Sequence, residues 1–202
     1  MTQFVNLLLT TLIFFSVNTW AAKETTIIAS DFSLQGQDGK TYKLSEVLKE
    51  GQHVVLEWFN NECPYVKKHY DSGNMQALQK KYTEKGVKWF SIASSAKGKQ
   101  GYLETESANK VRADRKQLST AILLDSNGEV GKLYGAKTTP HMFVINPKGE
   151  LIYSGAIDSD SSYRSESIKE AKNYVAQVLD ASLKGKKVVQ APTSPYGCSV
   201  KY

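Results

Sequence analysis

An almost uninterrupted apolar run, Val54 to Phe59, constrains the fold of this chain more than any other segment. Apolar residues that do not alternate with polar ones are typical of a strand buried on both faces of a sheet. A short polar stretch follows the run and leads to Cys63 and Pro64. Proline is favoured in the first turn of a helix, because the N–H that it lacks would have no partner there. The sequence therefore predicts a buried strand, a loop and a helix that begins beside a cysteine.

Strand-like and helix-like segments alternate along the rest of the chain, with no internal repeat and no linker. The further predicted strands are 87–93, 121–124, 141–145 and 150–153. The predicted helices include 64–85 with a break near 71–73, 104–116 and 165–183. Such alternation predicts an α/β fold. A length of 202 residues suits one well-buried domain better than two.

The first 22 residues carry no charged side chain and contain an apolar core from Phe4 to Val17. A short apolar core followed by small residues is typical of a secretory signal peptide, and this core is shorter than the ~20 residues that span a bilayer. No Lys or Arg precedes the core, so an N-terminal anchor that is not removed is the alternative. We expect 1–22 to be a signal peptide, the protein to be exported to the periplasm, and no stable membrane span to remain after cleavage.

The chain contains only two cysteines, Cys63 and Cys198. This count excludes a disulfide-dense scaffold and a four-cysteine zinc site. Outside the cytosol, two thiols can remain oxidised as a disulfide. Export also argues against nucleic acid as a partner, so we interpret the net charge of +6 as a solvated surface.

The predicted position of Cys63 favours a reactive thiol. Unpaired backbone N–H groups and the positive end of the helix dipole stabilise a thiolate at a helix N-terminus, which lowers the pKa of the cysteine. A lowered pKa is what a nucleophilic thiol needs. The alternative is a small buried hydrophobic residue, which is the usual role of a free cysteine.

Three segments together resemble a known family. They are Asn60-Asn61-Glu62-Cys63-Pro64-Tyr65-Val66-Lys67-Lys68, Thr139-Pro140-His141-Met142-Phe143-Val144-Ile145 and the ending Pro195-Tyr196-Gly197-Cys198-Ser199-Val200-Lys201-Tyr202. They are similar to the peroxiredoxin-like subgroup of the redoxin superfamily, also called AhpC/TSA-type. The resemblance implies a thioredoxin-like fold with a central mixed sheet flanked by helices. It would occupy 23–187, and 188–202 would form an extended C-terminal tail.

The resemblance also implies roles for residues around Cys63. Cys63 aligns with the first cysteine of the thioredoxin Cys-x-x-Cys pair, and Val66 stands where the second cysteine would be. Glu57 aligns with a buried acid behind the nucleophile, which implies a proton shuttle; a solvated glutamate is the alternative. Asn60 stands where peroxiredoxins carry the threonine of their Thr-x-x-Cys motif.

The resemblance further implies a substrate-binding edge. Pro140 would be a cis-proline that faces Cys63, and Thr139 would offer backbone groups to a bound substrate. Tyr65 follows Pro64 directly and would flank that substrate.

Because Val66 replaces the usual resolving cysteine, Cys198 is the remaining thiol that could resolve Cys63 within one chain. The separation is no obstacle, since the entropy cost of loop closure grows only logarithmically with length. We therefore expect a Cys63–Cys198 disulfide that opens and closes during turnover. The alternative is a permanent disulfide that fastens the tail.

The leading functional prediction is a thiol-disulfide oxidoreductase without a cofactor, whose partners are a thiol or disulfide protein and an external reductant. A thiol-dependent peroxidase uses the same residues with a peroxide substrate. A Cu(I)-binding or delivery module is a further alternative, with Cys63, Cys198, His141 and Met142 as soft ligands. A non-catalytic scaffold with a structural disulfide is the last.

Overall fold

The structure is a computed structural model that describes residues 26–188 and 191–202. The predicted signal peptide, 1–22, lies outside the described residues. Nine strands and six α-helices are present in the described ranges. The strands are β1 (Ser33–Gly36), β2 (Thr41–Lys43), β3 (Val54–Trp58), β4 (Lys88–Ala93), β5 (Ala121–Leu124), β6 (Thr138–Thr139), β7 (His141–Ile145), β8 (Leu151–Gly155) and β9 (Cys198–Ser199). The helices are α1 (Leu44–Lys49), α2 (Pro64–Asp71), α3 (Asn74–Thr83), α4 (Thr105–Asp114), α5 (Glu129–Leu133) and α6 (Tyr174–Ser182).

Seven strands form one mixed sheet in the order β2-β1-β5-β4-β3-β7-β8. β3 pairs in parallel with β4 and antiparallel with β7, so it lies inside the sheet. All five residues of β3 are buried, as the apolar run predicts. The α/β class and the central mixed sheet are thereby confirmed.

Helices cover both faces of this sheet. On one face, Val55 and Phe59 pack in a core with residues of α2, α3, α4 and α6. On the other face, Leu56 and Trp58 pack with residues of α1 and α5. Successive side chains of a strand point to opposite faces, so a strand without alternation supplies both cores at once.

Two predicted helices are divided in the structure. The break predicted near 71–73 is confirmed: α2 ends at Asp71, and Gly73 adopts a left-handed φ of 76° before α3 begins. The helix predicted over 165–183 is wrong as a single element. It is a 3₁₀ helix, Ser165–Glu170, followed by α6, which begins after Asn173. The Asn173 side chain accepts a hydrogen bond from the Ala176 N–H and so caps α6, which the apolar spacing does not reveal.

Candidate active site

Cys63 lies at the N-terminus of α2, immediately after the loop that leaves β3. Pro64 is the first residue of the helix, and the N–H groups of Val66 and Lys67 point back to the Cys63 carbonyl. The Cys63 N–H donates to the Asn60 carbonyl at 3.1 Å, which closes the turn before the helix. Cys63 has no exposed surface in the presence of the tail.

The C-terminal tail brings Cys198 beside Cys63. β9 pairs antiparallel with β6, and the register places Cys198 opposite Thr139. The Cys63 thiol donates a hydrogen bond to the Thr139 carbonyl at 3.0 Å. Both cysteines are free thiols here, and Cys198 is partly exposed. The Thr139–Pro140 peptide is cis, as the resemblance implies.

The pKa values of the two thiols are shifted in opposite directions. Burial raises the pKa of Cys63, but hydrogen bonds to its sulfur from the side chains of Cys198 and Thr139 and from the backbone of Cys198 and Val66 outweigh burial, and the net pKa is lowered. Burial and the hydrogen bond to Cys63 raise the pKa of Cys198 to about 11. The pair therefore consists of a thiol that ionises readily and a neighbour that keeps its proton and donates it.

Contacts from distant parts of the chain fix the loop before Cys63. The Arg115 side chain donates to the Asn61 side chain at 2.7 Å and to the Asn61 carbonyl, and it pairs with Asp71. The Asn60 side chain packs against Gly101, where a Cβ would lie 2.4 Å from it. Arg115 is one of three arginines in the sequence, with Arg112 and Arg164, that no local pattern places beside Cys63, and no pattern links Gly101 to the loop.

Glu57 lies in a hydrogen-bond network behind the loop and has no exposed surface, which excludes a solvated glutamate. Its carboxylate accepts hydrogen bonds from the side chains of Tyr70, Gln79, Trp89 and Ser91. Burial raises the pKa of Glu57 more than these hydrogen bonds lower it. A carboxyl group of raised pKa keeps its proton at a higher pH than an ordinary glutamate does, but the four groups bonded to Glu57 do not include the Cys63 thiol.

The C-terminal tail is an extended segment that packs against the rest of the protein. Tyr196, Cys198 and Val200 contact the two cores, and the Tyr202 hydroxyl donates to the Ala136 carbonyl at 2.9 Å. Gly197 has a φ of 125°. A Cβ at this position would lie only 2.1 Å from the Thr139 carbonyl oxygen, so only glycine fits there. The alternation of large residues at 196, 198, 200 and 202 is a strand signal that the sequence analysis did not use.

The remaining predicted residues divide between the site and the core. Thr139 and Pro140 are buried at the site. Tyr65 is half-buried, with its ring 6.0 Å from that of Tyr196. Met142 belongs to the core that contains Cys63, whereas His141 stacks on Phe143 in the opposite layer, so the structure does not bring together the predicted Cu(I) ligands.

The fold and site define a class of protein: a thioredoxin-like domain in which a helix-start cysteine meets a second thiol from the tail. The fold resembles that of a thioredoxin-like protein from Aeropyrum pernix, with a TM-score of 0.50 and 20% identity over 69% of this chain and 88% of that one. The model of the AhpC/TSA family matches residues 27–154, and the chain belongs to this family.

Two further proteins share a higher sequence identity with this chain. The thiol-disulfide oxidoreductase ResA of Oceanobacillus iheyensis is 33% identical over 65% of this chain and 66% of its own. An uncharacterized conserved protein from Geobacillus kaustophilus is 27% identical, with a TM-score of 0.73 over 88% of this chain and 91% of its own. The chain spans about two thirds of the length of its ResA relatives, from 64% to 66%.

Proposed function

We propose that this protein is an exported thiol-disulfide oxidoreductase in which Cys63 is the nucleophile and Cys198 resolves the intermediate. The observation that carries the proposal is the β6–β9 pairing, which places Cys198 beside Cys63 although the two are far apart in the sequence. The lowered pKa of Cys63 and the raised pKa of Cys198 fit these roles. The name of the ResA relatives describes the same activity.

The proposed reaction has two exchange steps. The Cys63 thiolate attacks a substrate disulfide, forms a mixed disulfide and releases the first substrate sulfur as a thiolate, which takes up a proton. Cys198 then loses its proton and attacks the Cys63 sulfur, which releases the second substrate thiol and leaves a Cys63–Cys198 disulfide. An external dithiol reductant returns both cysteines to thiols and is itself oxidised to a disulfide. Because Cys63 is fully buried, the substrate must displace the tail from β6 in the first step.

Oxidised glutathione tests this assignment when it is mixed with the reduced protein and the products are identified by mass spectrometry. We expect the wild type to form the internal disulfide and Cys198→Ser to retain glutathione on Cys63. Cys63→Ser leaves only the partly exposed Cys198, which should react no faster than an ordinary thiol of similar exposure. Glutathione that remains on wild-type Cys63, with no internal disulfide, would sink the proposal.

Titration of the internal disulfide against a glutathione buffer distinguishes a cycling pair from a permanent staple. Structural disulfides typically have potentials below about −300 mV, whereas catalytic pairs have higher ones. We expect a potential above that value, since Cys198 lies in a partly exposed tail.

Peroxidase activity is the second candidate, and membership of the AhpC/TSA family favours it. In that reaction Cys63 attacks a peroxide oxygen and becomes a sulfenic acid, and Cys198 condenses with it to give the disulfide and water. Arg115 lies near the loop but is bonded to Asn61 and Asp71. Stopped-flow oxidation by hydrogen peroxide decides the matter: a rate no faster than that of free cysteine excludes the peroxidase.

Export to the periplasm is part of the proposal and rests on the uncharged apolar segment at 1–22. In the part of the chain that the structure describes, no helix has the length and apolar character needed to cross a bilayer. N-terminal sequencing of the protein from a periplasmic extract should show a new terminus near Ala22. Recovery of the intact chain in the membrane fraction would favour the retained anchor instead.

A further inference from the structure

A buried group of polar side chains lies beneath the tail, next to the two thiols. Lys68, on α2, has no exposed side-chain surface, and its ammonium group donates to the Asp160 carboxylate at 2.8 Å. The same group donates to the backbone carbonyls of Asp160 and Ser162. This fully bonded cation ties the loop after β8 to α2 and so fixes Asp158 at the start of that loop.

The Tyr196 hydroxyl is the point at which the tail meets this group. It donates to the Asp158 carboxylate at 2.5 Å, and the His69 Nε2 lies 3.1 Å from it. Burial and the neighbouring Lys68 ammonium group lower the pKa of His69 to about 3, so the imidazole is neutral. The Asn74 amide group bonds the His69 Nδ1 at 2.9 Å, which leaves Nε2 as the donor to the tyrosine.

Tyr196 and Cys198 flank Gly197 in the tail, and both pack against the core that contains Cys63. Between them, a Cβ at Gly197 would collide with the Thr139 carbonyl, so the backbone of the tail lies close to β6, and the register places Cys198 opposite Thr139. A fixed Tyr196 hydroxyl therefore fixes the place of the Cys198 sulfur.

We propose that Tyr196 is a positioning residue for Cys198: Asp158 and His69 hold its hydroxyl and keep the Cys198 thiol against Cys63 before the disulfide forms. This inference rests on the proposed function. In the resolving step, the Cys198 thiolate forms a bond to the Cys63 sulfur as the bond from Cys63 to the substrate breaks, and the substrate leaves as a thiolate that takes up a proton. Tyr196 acts by raising the effective concentration of Cys198, since the ordering of the tail precedes the reaction.

The variant Tyr196→Phe tests the proposal, because it removes the hydroxyl and keeps the ring. We expect the equilibrium constant for the internal disulfide against glutathione to fall about tenfold, which makes the potential about 30 mV less negative. Resolution of a glutathione adduct on Cys63 should slow by a similar factor. The first attack by Cys63 should not slow, because a looser tail uncovers the thiol.

Tyr42→Phe is the matched control, since Tyr42 also donates to an aspartate, Asp38, at 2.8 Å, but lies on β2 at the far edge of the sheet. In Tyr42→Phe, the potential of the internal disulfide and the rate at which the glutathione adduct is resolved should equal those of the wild type. A second variant, Asp158→Ala, should shift the potential in the same direction and add nothing in the Tyr196→Phe background.

The outcomes distinguish a failure of the proposed role of Tyr196 from a failure of the proposed function on which that role rests. If the melting temperature of Tyr196→Phe falls while the potential of its internal disulfide is unchanged, Tyr196 only stabilises the fold, and the proposal is overturned. Additive shifts in the double variant would also overturn it. A wild type that forms no reversible disulfide would instead overturn the proposed function.

Discussion

At the scale of single residues, the two thiols differ most in their exposure. Cys63 is fully buried, and Cys198 is partly exposed. In the oxidised pair, an incoming thiolate approaches along the line of the S–S bond and reaches the sulfur that faces solvent. The sulfur with the lower pKa is also the better leaving group. Exposure and acidity therefore both favour attack on Cys198, with Cys63 as the leaving thiolate.

We accordingly predict that an external thiol adds to Cys198 when the disulfide is reduced. Oxidised wild-type protein would be mixed with reduced glutathione, quenched in acid within milliseconds, and alkylated for peptide mass spectrometry. Glutathione should be found on Cys198 and the alkyl group on Cys63. Glutathione on Cys63, or an equal amount on both cysteines, would contradict the prediction.

Local signals in the sequence predict the candidate reacting residues but not the residues that hold them in place. Cys63 next to Pro64 predicts a helix-start thiol, and the structure places it there. Arg115 and Gly101 shape the same loop from elsewhere in the fold. A side chain that acts through tertiary contact leaves no spacing that a single sequence can display.

At the scale of elements, the sequence predicts best those strands that are buried and uninterrupted. The predicted bounds of β5 and β7 agree with the structure, because each is an apolar run with a turn at either end. β9 was not predicted as a strand, because it is two residues long and depends on pairing with β6. Pairing of this kind is decided by the folded partner and not by the propensity of the segment.

The Glu57 network joins four elements, β3, β4, α2 and α3, through one carboxylate. Replacement by alanine would leave the Trp89 N–H and the Tyr70 hydroxyl without this acceptor, and each buried unsatisfied donor costs about 1–3 kcal/mol. We predict that Glu57→Ala lowers the free energy of unfolding by about 2–6 kcal/mol in urea titrations. Glu57→Gln keeps an acceptor and should lose far less. Equal losses in the two variants would contradict this explanation.

The raised pKa of Glu57 gives a pH dependence of known sign. The folded state keeps this proton above the ordinary pKa of 4.5, at which the unfolded state loses it. Stability therefore falls as pH rises from about 4.5 through the folded pKa, because the folded state binds more protons than the unfolded state. Glu57→Gln cannot titrate at this position, so unfolding curves at several pH values should show a smaller fall in the variant than in the wild type. A changed pH profile of Cys63 alkylation in the same variant would support the predicted proton shuttle.

At the scale of the whole molecule, the C-terminal tail packs back against the rest of the fold. Two tyrosine hydroxyls hold its last seven residues: Tyr196 donates to Asp158 and Tyr202 to the Ala136 carbonyl. Cys198 lies between these two attachments and opposite β6, so a disulfide to Cys63 would link the last strand to the middle of the sheet. The chain-entropy argument gives large stabilisation for such long loops, about 4.7 kcal/mol for a loop of 100 residues.

We predict that the oxidised protein is more stable than the reduced protein by about 2–4 kcal/mol, the usual range for one disulfide. The gain comes mainly from the unfolded chain, which loses freedom when Cys63 and Cys198 are joined, because the tail is already held in the reduced fold. Urea unfolding with and without a reductant measures the difference. Cys198→Ser is the control, whose unfolding midpoint should not respond to the reductant. A wild-type midpoint that is equally unresponsive would mean that the disulfide strains the native tail by as much as it restricts the unfolded chain.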